Sequence, residues 1–227
     1  MSAVLELEVV RHPRARSCRL SLDPVTGRAR LTVPKRAALK PALAWAEGKA
    51  GWLAEQRIRL PEARPFVSGA MLPVADEALT IAWTPGPRRT VLRQGDTLSI
   101  EGPQGTVGRR VELWLRRAAL DLLSRETAEF AAMAGVTVSQ VAVGDPRGRW
   151  GSCASTGAIR YSWRLLLAPG FVRRATVAHE IAHRVHMNHG PAFHALVAEL
   201  LRVDPAPARA WLRQHGAALH WFGRSSS

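Results

Sequence analysis

The segment from His179 to His194 constrains this chain more than any other part of its sequence. It reads His-Glu-Ile-Ala-His-Arg-Val-His-Met-Asn-His-Gly-Pro-Ala-Phe-His and contains five of the eight histidines. Side chains four residues apart lie on one face of an α-helix, so His179 and His183 can point towards one metal ion. Glu180 lies about 100° around the helix axis, within reach of a water on that ion. The HExxH spacing therefore predicts a metal site with hydrolytic chemistry.

The residues around this segment favour a helix with one metal-binding face and one packed face. Pro169-Gly170 marks a break before the helix, and neither Gly nor Pro interrupts residues 171–178. The helix is predicted to end at residues 188–191. A buried amphipathic helix with hydrogen-bonded histidines is the alternative, and the clustering of histidines around a glutamate disfavours it. The apolar side chains on the face away from the histidines are Val177, Ala178, Ile181, Ala182 and Val185.

Helix geometry narrows the choice of a third ligand. His186 shares the helical face, but seven residues span about 10.5 Å, too far for three side chains to converge on an ion with bonds of about 2.0–2.1 Å. His189 follows the predicted helix end, where Asn188 or Gly190 can adopt the left-handed conformation and turn the chain back. This reasoning favours His189, leaves His194 as the alternative, and gives His186 an outer or solvent-facing position.

Two motifs resemble a known family. Arg149–Cys153 (RWGSC) and His179–Phe193 (HEIAHRVHMNHGPAF) are similar to motifs of the YgjP-like metallopeptidases, distant relatives of the SprT-like and gluzincin-like zinc proteases. The turn at Val33–Ala37 and the segment Ala158–Pro169 are similar too. The resemblance therefore extends over nearly the whole chain.

This resemblance implies a set of site residues. The family pattern has metal-binding histidines at the positions of His179, His183 and His189, and a catalytic glutamate at Glu180. The family often has an aromatic residue, commonly Trp, where this chain has His194. That difference leaves the implied metal site intact and affects the packing or substrate contacts of one position.

The composition is that of a globular protein. At 227 residues and 47% hydrophobic content, the chain can bury a sizeable core in one or two domains. No apolar run approaches the roughly 18–20 residues of a membrane span. The first residues carry acidic side chains within an apolar stretch and lack a signal core, so a cytoplasmic location is expected.

The formal net charge of +14 comes almost entirely from arginine. Arginine suits bidentate phosphate contacts, so the pattern suggests a nucleotide or nucleic-acid (polyanion) partner. Compositional bias with a charged solvent-facing surface explains the same arginines equally well, and the sequence indicates neither a DNA-recognition module nor an oligomeric state. The arginines that crowd the predicted amino-terminal hairpins are Arg11, Arg14, Arg16, Arg19, Arg28 and Arg30.

The periodicities predict an α+β fold. Residues 1–103 are expected to form β-hairpins in an antiparallel sheet with one helix, residues 104–222 a zincin-like helical region with a small sheet, and residues 223–227 a disordered tail. For the first region the predicted elements are strands Leu5–Val9, Cys18–Leu22 and Ala29–Val33, a helix from Leu39 to Leu60 with Trp45 and Trp52 in the core, and two or three strands between Phe66 and Ile100.

The second region is predicted to begin with a long helix. The predicted elements are a helix over Arg109–Ala134, a strand over Thr137–Val143, a hairpin of Arg149–Cys153 with Ala158–Leu166, the metal-binding helix, and helices over Ala192–Arg202 and Pro205–His215. This arrangement places both family-like motifs in one region.

These observations predict a zinc-dependent metallohydrolase. The simplest hypothesis is a peptidase with one Zn²⁺ ion, polypeptide substrates, and a water activated by Glu180. The alternatives are a zinc-dependent nucleotide phosphoanhydride hydrolase (a pyrophosphatase) and a non-catalytic zinc-binding module associated with nucleic acid. Arg149, Tyr161 and His186 are candidates by chemistry alone for stabilising an oxyanion, and an ordinary structural hydrogen bond is the favoured role for each.

Overall fold

The computed structural model describes residues 7–88 and 90–225. Contacts between Cα atoms divide the chain into two units, Met1–Glu62 and Ala63–Ser227. Six α-helices and three small sheets lie within the described residues, so the predicted α+β class is confirmed. In that part of the chain, no helix is both long and apolar enough to cross a membrane.

From Leu7 onwards, where its description begins, the first unit forms a three-stranded sheet and two helices. The sheet has the order β1-β3-β2, in which β3 pairs parallel with β1 and antiparallel with β2. Alternate residues of β3 are fully buried and pack against α1. The elements are β1 (Leu7–His12), β2 (Arg19–Leu22), β3 (Ala29–Pro34), α1 (Leu39–Glu47) and α2 (Ala50–Ile58).

Three predictions for this unit need correction. Strand β1 does not form a hairpin with its neighbours but pairs parallel with β3, and Leu5 and Glu6 of the predicted strand lie outside the described residues. The single predicted helix is two helices, separated at Gly48 and Lys49. Both predicted core tryptophans are exposed, Trp45 by 42% and Trp52 by 39%. They lie outside the core because smaller side chains occupy the buried faces of these helices, namely Ala42, Ala46 and Leu53.

The amino-terminal arginines are mostly exposed. Arg30 forms an ion pair with Glu8 at 3.1 Å, and Arg11 donates to the carbonyl oxygens of Lys35 and Ala37 at 2.8 and 3.1 Å. These two guanidinium groups therefore have partners within their own unit. Contact with a polyanion stays a prediction for the exposed remainder, Arg14, Arg16, Arg19 and Arg28.

The described residues of the second unit form two sheets and four α-helices. Its sheets have the strand orders β4-β5-β7-β6 and β8-β10-β9. Four strands therefore lie where two or three were predicted. The elements are β4 (Met71–Val74), β5 (Glu77–Thr84), β6 (Val91–Gln94), β7 (Thr97–Glu101), α3 (Val107–Ala134), β8 (Gln140–Gly144), β9 (Gly151–Cys153), β10 (Ala158–Ser162), α4 (Gly170–Ala182), α5 (Pro191–Leu201) and α6 (Ala206–Leu219).

One buried cluster joins most of this unit. The cluster contains Ile81 of β5 and Ile100 of β7. It also contains Leu115 of α3, Val177 of α4, and Trp163, which precedes α4. The predicted boundary at residues 103–104 lies within this unit, because the side chains before and after it pack in the same core. The predicted division into domains stays a prediction.

The end of the second unit is bonded to its beginning. Gly223 donates its backbone N–H to the carbonyl oxygen of Arg64 at 2.8 Å. Ser226 and Ser227, the end of the predicted disordered tail, lie outside the described residues. After β10 the chain forms a 3-10 helix over Trp163–Leu167, so the prediction that the strand continues to Leu166 was wrong. Ser162 starts this turn because its side chain accepts the N–H of Arg164.

Candidate metal centre

Helix α4 leads into the centre and is fixed at its amino terminus and along its length. Its amino terminus lacks a capping side chain of its own, and Asp76 of the β4–β5 turn accepts the backbone N–H of Gly170 at 2.7 Å. One turn later Arg173 binds Glu126 of α3 at 3.0 Å in a buried ion pair. Its packed face consists of side chains that are fully buried, namely Val172, Val177, Ala178, Ile181 and Ala182.

The carboxyl end of α4 differs from the prediction. The helix ends at Ala182, and the next N–H groups bond three residues back, Arg184 to Ile181 at 2.8 Å and Val185 to Ala182 at 3.1 Å. This tighter turn ends the regular helix before His186, whose own N–H bonds four residues back to Ala182 at 2.8 Å. The predicted continuation of the helix to residues 188–191 was therefore wrong.

The chain returns to the centre without a left-handed residue. Gly190 is extended, with φ −75° and ψ 179°, and it precedes Pro191 at the start of α5. Asn188 has no positive φ either. The prediction that one of these two residues turns the chain through the left-handed region was wrong, although the chain does bring His189 back.

Three imidazoles converge at this bend. His179, His183 and His189 each offer a ring nitrogen, and these atoms lie within 4.8 Å of one another. The Nε2 atoms of His179 and His189 are 3.2 Å apart. Two nitrogens bound at about 2.0–2.1 Å to a tetrahedral ion lie about 3.3 Å apart, so this spacing fits a shared metal ion. The structure thus brings the three residues together, and their role as ligands stays a prediction.

Two neighbours orient these rings. The Nδ1 atom of His183 lies 3.2 Å from the backbone oxygen of His186, which fixes the ring and leaves Nε2 for another partner. The fully buried ring of Phe193 lies 4.9, 4.7 and 4.7 Å from the rings of His179, His183 and His189. A hydrocarbon surface therefore supports all three imidazoles from one side.

The surroundings favour the neutral form of the histidines. Burial, together with the neighbouring imidazoles, lowers the pKa of His179 to about 4. Burial also lowers the pKa of His183. A neutral imidazole keeps a lone pair on one nitrogen, and this is the form that binds a metal ion. The donor set is therefore suited to a divalent transition metal.

Glu180 lies beside the histidines and is 5% exposed. Burial raises its pKa to about 7, and the charge of Arg149 acts in the opposite direction. Strand β9 runs directly against this carboxyl group: a Cβ atom on Gly151 would lie 2.4 Å from Glu180 Oε1. Glu180 and His179 line the same cavity.

The other sequence candidates take different places. His186 contributes its backbone oxygen, and His194 is exposed with its ring 6.4 Å from that of His189. Tyr161 is fully buried, its hydroxyl lies 3.0 Å from Thr127 Oγ1, and burial raises its pKa. Tyr161 therefore has the structural hydrogen bond that was one of its two predicted roles.

Three residues at the centre escaped the sequence analysis. Phe193 supports the rings, Gly151 admits the carboxyl group of Glu180, and Arg209 of α6 is close enough to disfavour protonation of His179. The position of Phe193 within the motif was a usable signal for an aromatic contact. Nothing in the spacing of Gly151 or Arg209 links either residue to the histidines.

A helix that ends in a histidine, a glutamate and a second histidine at its C-cap, followed by a third histidine, is the arrangement of the HExxH metalloenzymes. A sequence model of the YgjP-like metallopeptidase domain matches residues 16–215. The chain therefore belongs to the YgjP-like metallopeptidase family, as the resemblance implied, and the matched range contains all four predicted site residues. Neither a curated protein nor a solved structure matches the chain.

Proposed function

We propose that this chain is a zinc-dependent peptidase in which His179, His183 and His189 hold one zinc ion and Glu180 is the general base. The convergence of three imidazole nitrogens within 4.8 Å, beside a buried glutamate, is the observation that carries this proposal. Three protein ligands and an open fourth position are typical of catalytic zinc sites. When bound, zinc lowers the pKa of a coordinated water from 15.7 to about 7 and polarises a carbonyl group.

Glu180 moves the proton in this proposal. Its carboxylate accepts a proton from the attacking water as the water oxygen bonds to the peptide carbonyl carbon. Glu180 then donates that proton to the amide nitrogen as the C–N bond breaks. General acid–base catalysis of this kind contributes about 10²- to 10⁴-fold. Family membership and the imidazole donor set support zinc over harder cations, which prefer oxygen ligands.

Metal analysis of protein purified without a histidine tag tests the ligand set. We expect about one zinc per chain in the wild type and loss of zinc in His189→Ala, because one of three protein ligands is removed. His194→Ala is the matched control, since its ring lies outside the triad, and it should keep the metal. Retention in His189→Ala with loss in His194→Ala would contradict the ligand assignment.

Activity assays test the reaction. Glu180→Gln should retain zinc and lose at least about 10²-fold in the cleavage of an unfolded polypeptide. Glu199→Gln, an exposed glutamate of α5, is the control and should keep full activity. If the protein hydrolyses nucleoside triphosphates and does not cleave peptides, its function is that of a phosphoanhydride hydrolase and the peptidase proposal is wrong. Unchanged zinc and partner binding with no turnover in any variant would indicate a non-catalytic module.

A further inference from the structure

A cavity of about 270 Å³ opens beside the proposed reacting atoms. Its floor consists of apolar side chains from three helices: Val172 of α4, Val197 of α5 and Ala208 of α6, which are 0%, 3% and 4% exposed. Sites for small organic ligands usually occupy about 300–1,000 Å³. The cavity therefore has room for one side chain of moderate size rather than for a long ligand.

Trp150 forms a fixed wall of this cavity. Its ring packs against His220 with 5.3 Å between the ring centroids. The face of α6 beneath the ring is a glycine, and a Cβ atom on Gly216 would lie 2.9 Å from Trp150 Cζ2. Because α6 has no side chain at this point, the tryptophan ring can approach the helix closely.

The charges that line the cavity are unbalanced. Arg149 and Arg209 both line it, whereas Glu180 is the one carboxylate among its lining residues. Both arginines are exposed. The charge of Arg149 acts on Glu180, but among the described residues neither guanidinium group forms a hydrogen bond or an ion pair with a carboxylate. Two guanidinium groups beside an apolar cavity are suited to a ligand that carries an apolar group and an anionic group close together.

We propose that this cavity binds the carboxy-terminal residue of a peptide, with its apolar side chain against the floor and its α-carboxylate bound by Arg149 and Arg209. The proposal rests on the peptidase function and makes the enzyme a carboxypeptidase. In the residue after the cleaved bond, side chain and α-carboxylate are attached to the same carbon, so groups of one cavity can bind both. An acidic side chain does not fit this floor, because burying a charge among apolar groups is costly.

The reaction releases one amino acid in each cycle. Water adds across the last peptide bond: its oxygen bonds to the carbonyl carbon, the C–N bond breaks, and a proton passes to the amine nitrogen. The products are the shortened peptide, with a new carboxylate, and the free apolar amino acid. No oxidant or further co-reactant is needed.

Cleavage of three matched substrates tests the assignment. We expect benzoyl-Gly-Phe to be hydrolysed at least about 100-fold faster, in kcat/KM, than benzoyl-Gly-Phe-amide, because the amide lacks the charge-assisted hydrogen bonds. Arg149→Ala and Arg209→Ala should each lower kcat/KM for the acid about 10- to 100-fold more than for the amide, because both substrates experience the effect of each arginine on Glu180 or His179 and only the acid carries the carboxylate. Arg213→Ala, an exposed arginine of α6 outside the cavity, is the control and should match the wild type.

The third substrate distinguishes the source of the carboxylate. Benzoyl-Gly-Phe-Glu-amide carries its negative charge one residue further on. If its kcat/KM equals that of benzoyl-Gly-Phe, the arginines bind an acidic side chain and the carboxypeptidase assignment is overturned. Equal cleavage of the acid and the amide also overturns the assignment and leaves the peptidase function standing.

A binding measurement keeps the inference testable if no peptide is cleaved. Calorimetric titration of the full chain with N-acetyl-phenylalanine, and separately with its amide, measures the two affinities and needs no turnover. Binding of the acid at least about 10-fold tighter than the amide, lost in Arg209→Ala and kept in Arg213→Ala, supports the cavity assignment even if the peptidase function fails. Equal affinities for acid and amide overturn it.

Discussion

Gly151 lies so close to Glu180 that the proposed active site has no room for one additional methyl group on residue 151. A Cβ atom at this position would lie 2.4 Å from Oε1 and 2.7 Å from Cδ of Glu180. Non-bonded carbon atoms are comfortable at about 3.5–4.0 Å, so any side chain on residue 151 must displace the carboxyl group. Strand β9 therefore determines where the proposed general base can lie.

We predict that Gly151→Ala impairs turnover without loss of metal. Displacing a reacting group by about 1 Å can cost about 10²-fold in rate, and the substitution touches none of the three imidazoles. Initial rates together with zinc content check this prediction. Gly148→Ala is the matched control, because a Cβ atom there has no neighbour within 4 Å. Equal activity of both variants would show that Glu180 need not occupy its present position.

The sequence predicted which three histidines come together, but not which other residues surround them. The four-residue spacing of His179 and His183 depends only on helix geometry, so it could be found without a structure. His189 was favoured by eliminating His186 on distance. Arg149 and Arg209 could not be linked in this way, because the packing of separate elements brings them to one cavity.

At the scale of elements, the position of α4 depends on a turn in another sheet. Ala75 and Asp76 adopt positive φ values of 52° and 70°, which directs the Asp76 carboxylate towards the start of the helix. A Cβ atom on Gly170 would lie 2.5 Å from Asp76 Oδ2, so the glycine allows this approach. The Asp76 carboxylate also lies 3.5 Å from Arg173. The turn therefore caps the helix that carries the histidines.

We predict that Asp76→Ala lowers the free energy of unfolding by about 1 kcal/mol, the usual effect of removing a helix cap. Denaturant titration followed by circular dichroism measures this change. Asp121→Ala, an exposed aspartate of α3, is the control and should change stability by less than about 0.5 kcal/mol. Equal stability of the two variants would remove the capping role of Asp76.

The extents of the elements were predictable where local signals determine them. Helix α3 was expected from Arg109 and observed from Val107, and its apolar periodicity runs through to Ala134. The end of α4 was missed because its last turn tightens after Ala182 without a glycine or proline to mark it. Tertiary packing rather than local propensity decides such an end.

At the scale of the whole molecule, one arginine joins distant parts of the second unit. Arg164 binds Asp145 through two nitrogens at 2.7 and 3.0 Å and donates to the carbonyl oxygens of Leu219 and Phe222 at 2.7 and 3.1 Å. It fixes the end of α6 beside the segment that leads to β9. His220 lies in the same cluster, 4% exposed.

We predict that His220 makes the folded chain sensitive to acid. Burial and the charges of Arg164, Arg224 and Arg147 lower its pKa to about 4, against the opposing charge of Asp145. Below its unfolded pKa of about 6.5 the unfolded chain takes up a proton that the folded chain does not. Stability should therefore fall, by an amount on the order of 2–3 kcal/mol, as the pH decreases from about 6.5 to about 4.

Unfolding titrations of the wild type and His220→Gln across this pH range measure the effect. The histidines of the metal centre contribute to both proteins, so the difference between the two curves isolates His220. The variant should lose less stability than the wild type between pH 6.5 and 4. Parallel curves would mean that His220 has the same proton affinity in the folded and unfolded chains.

The position of Phe193 reduces the ordering of side chains that must accompany metal binding. Since a buried hydrocarbon ring already supports all three imidazoles, much of the ordering entropy of the donors is lost when the carboxy-terminal helices assemble rather than when the ion arrives. An incoming cation then encounters a receptor of nearly final shape, so capture and exchange of the ion can proceed without refolding the polypeptide around it.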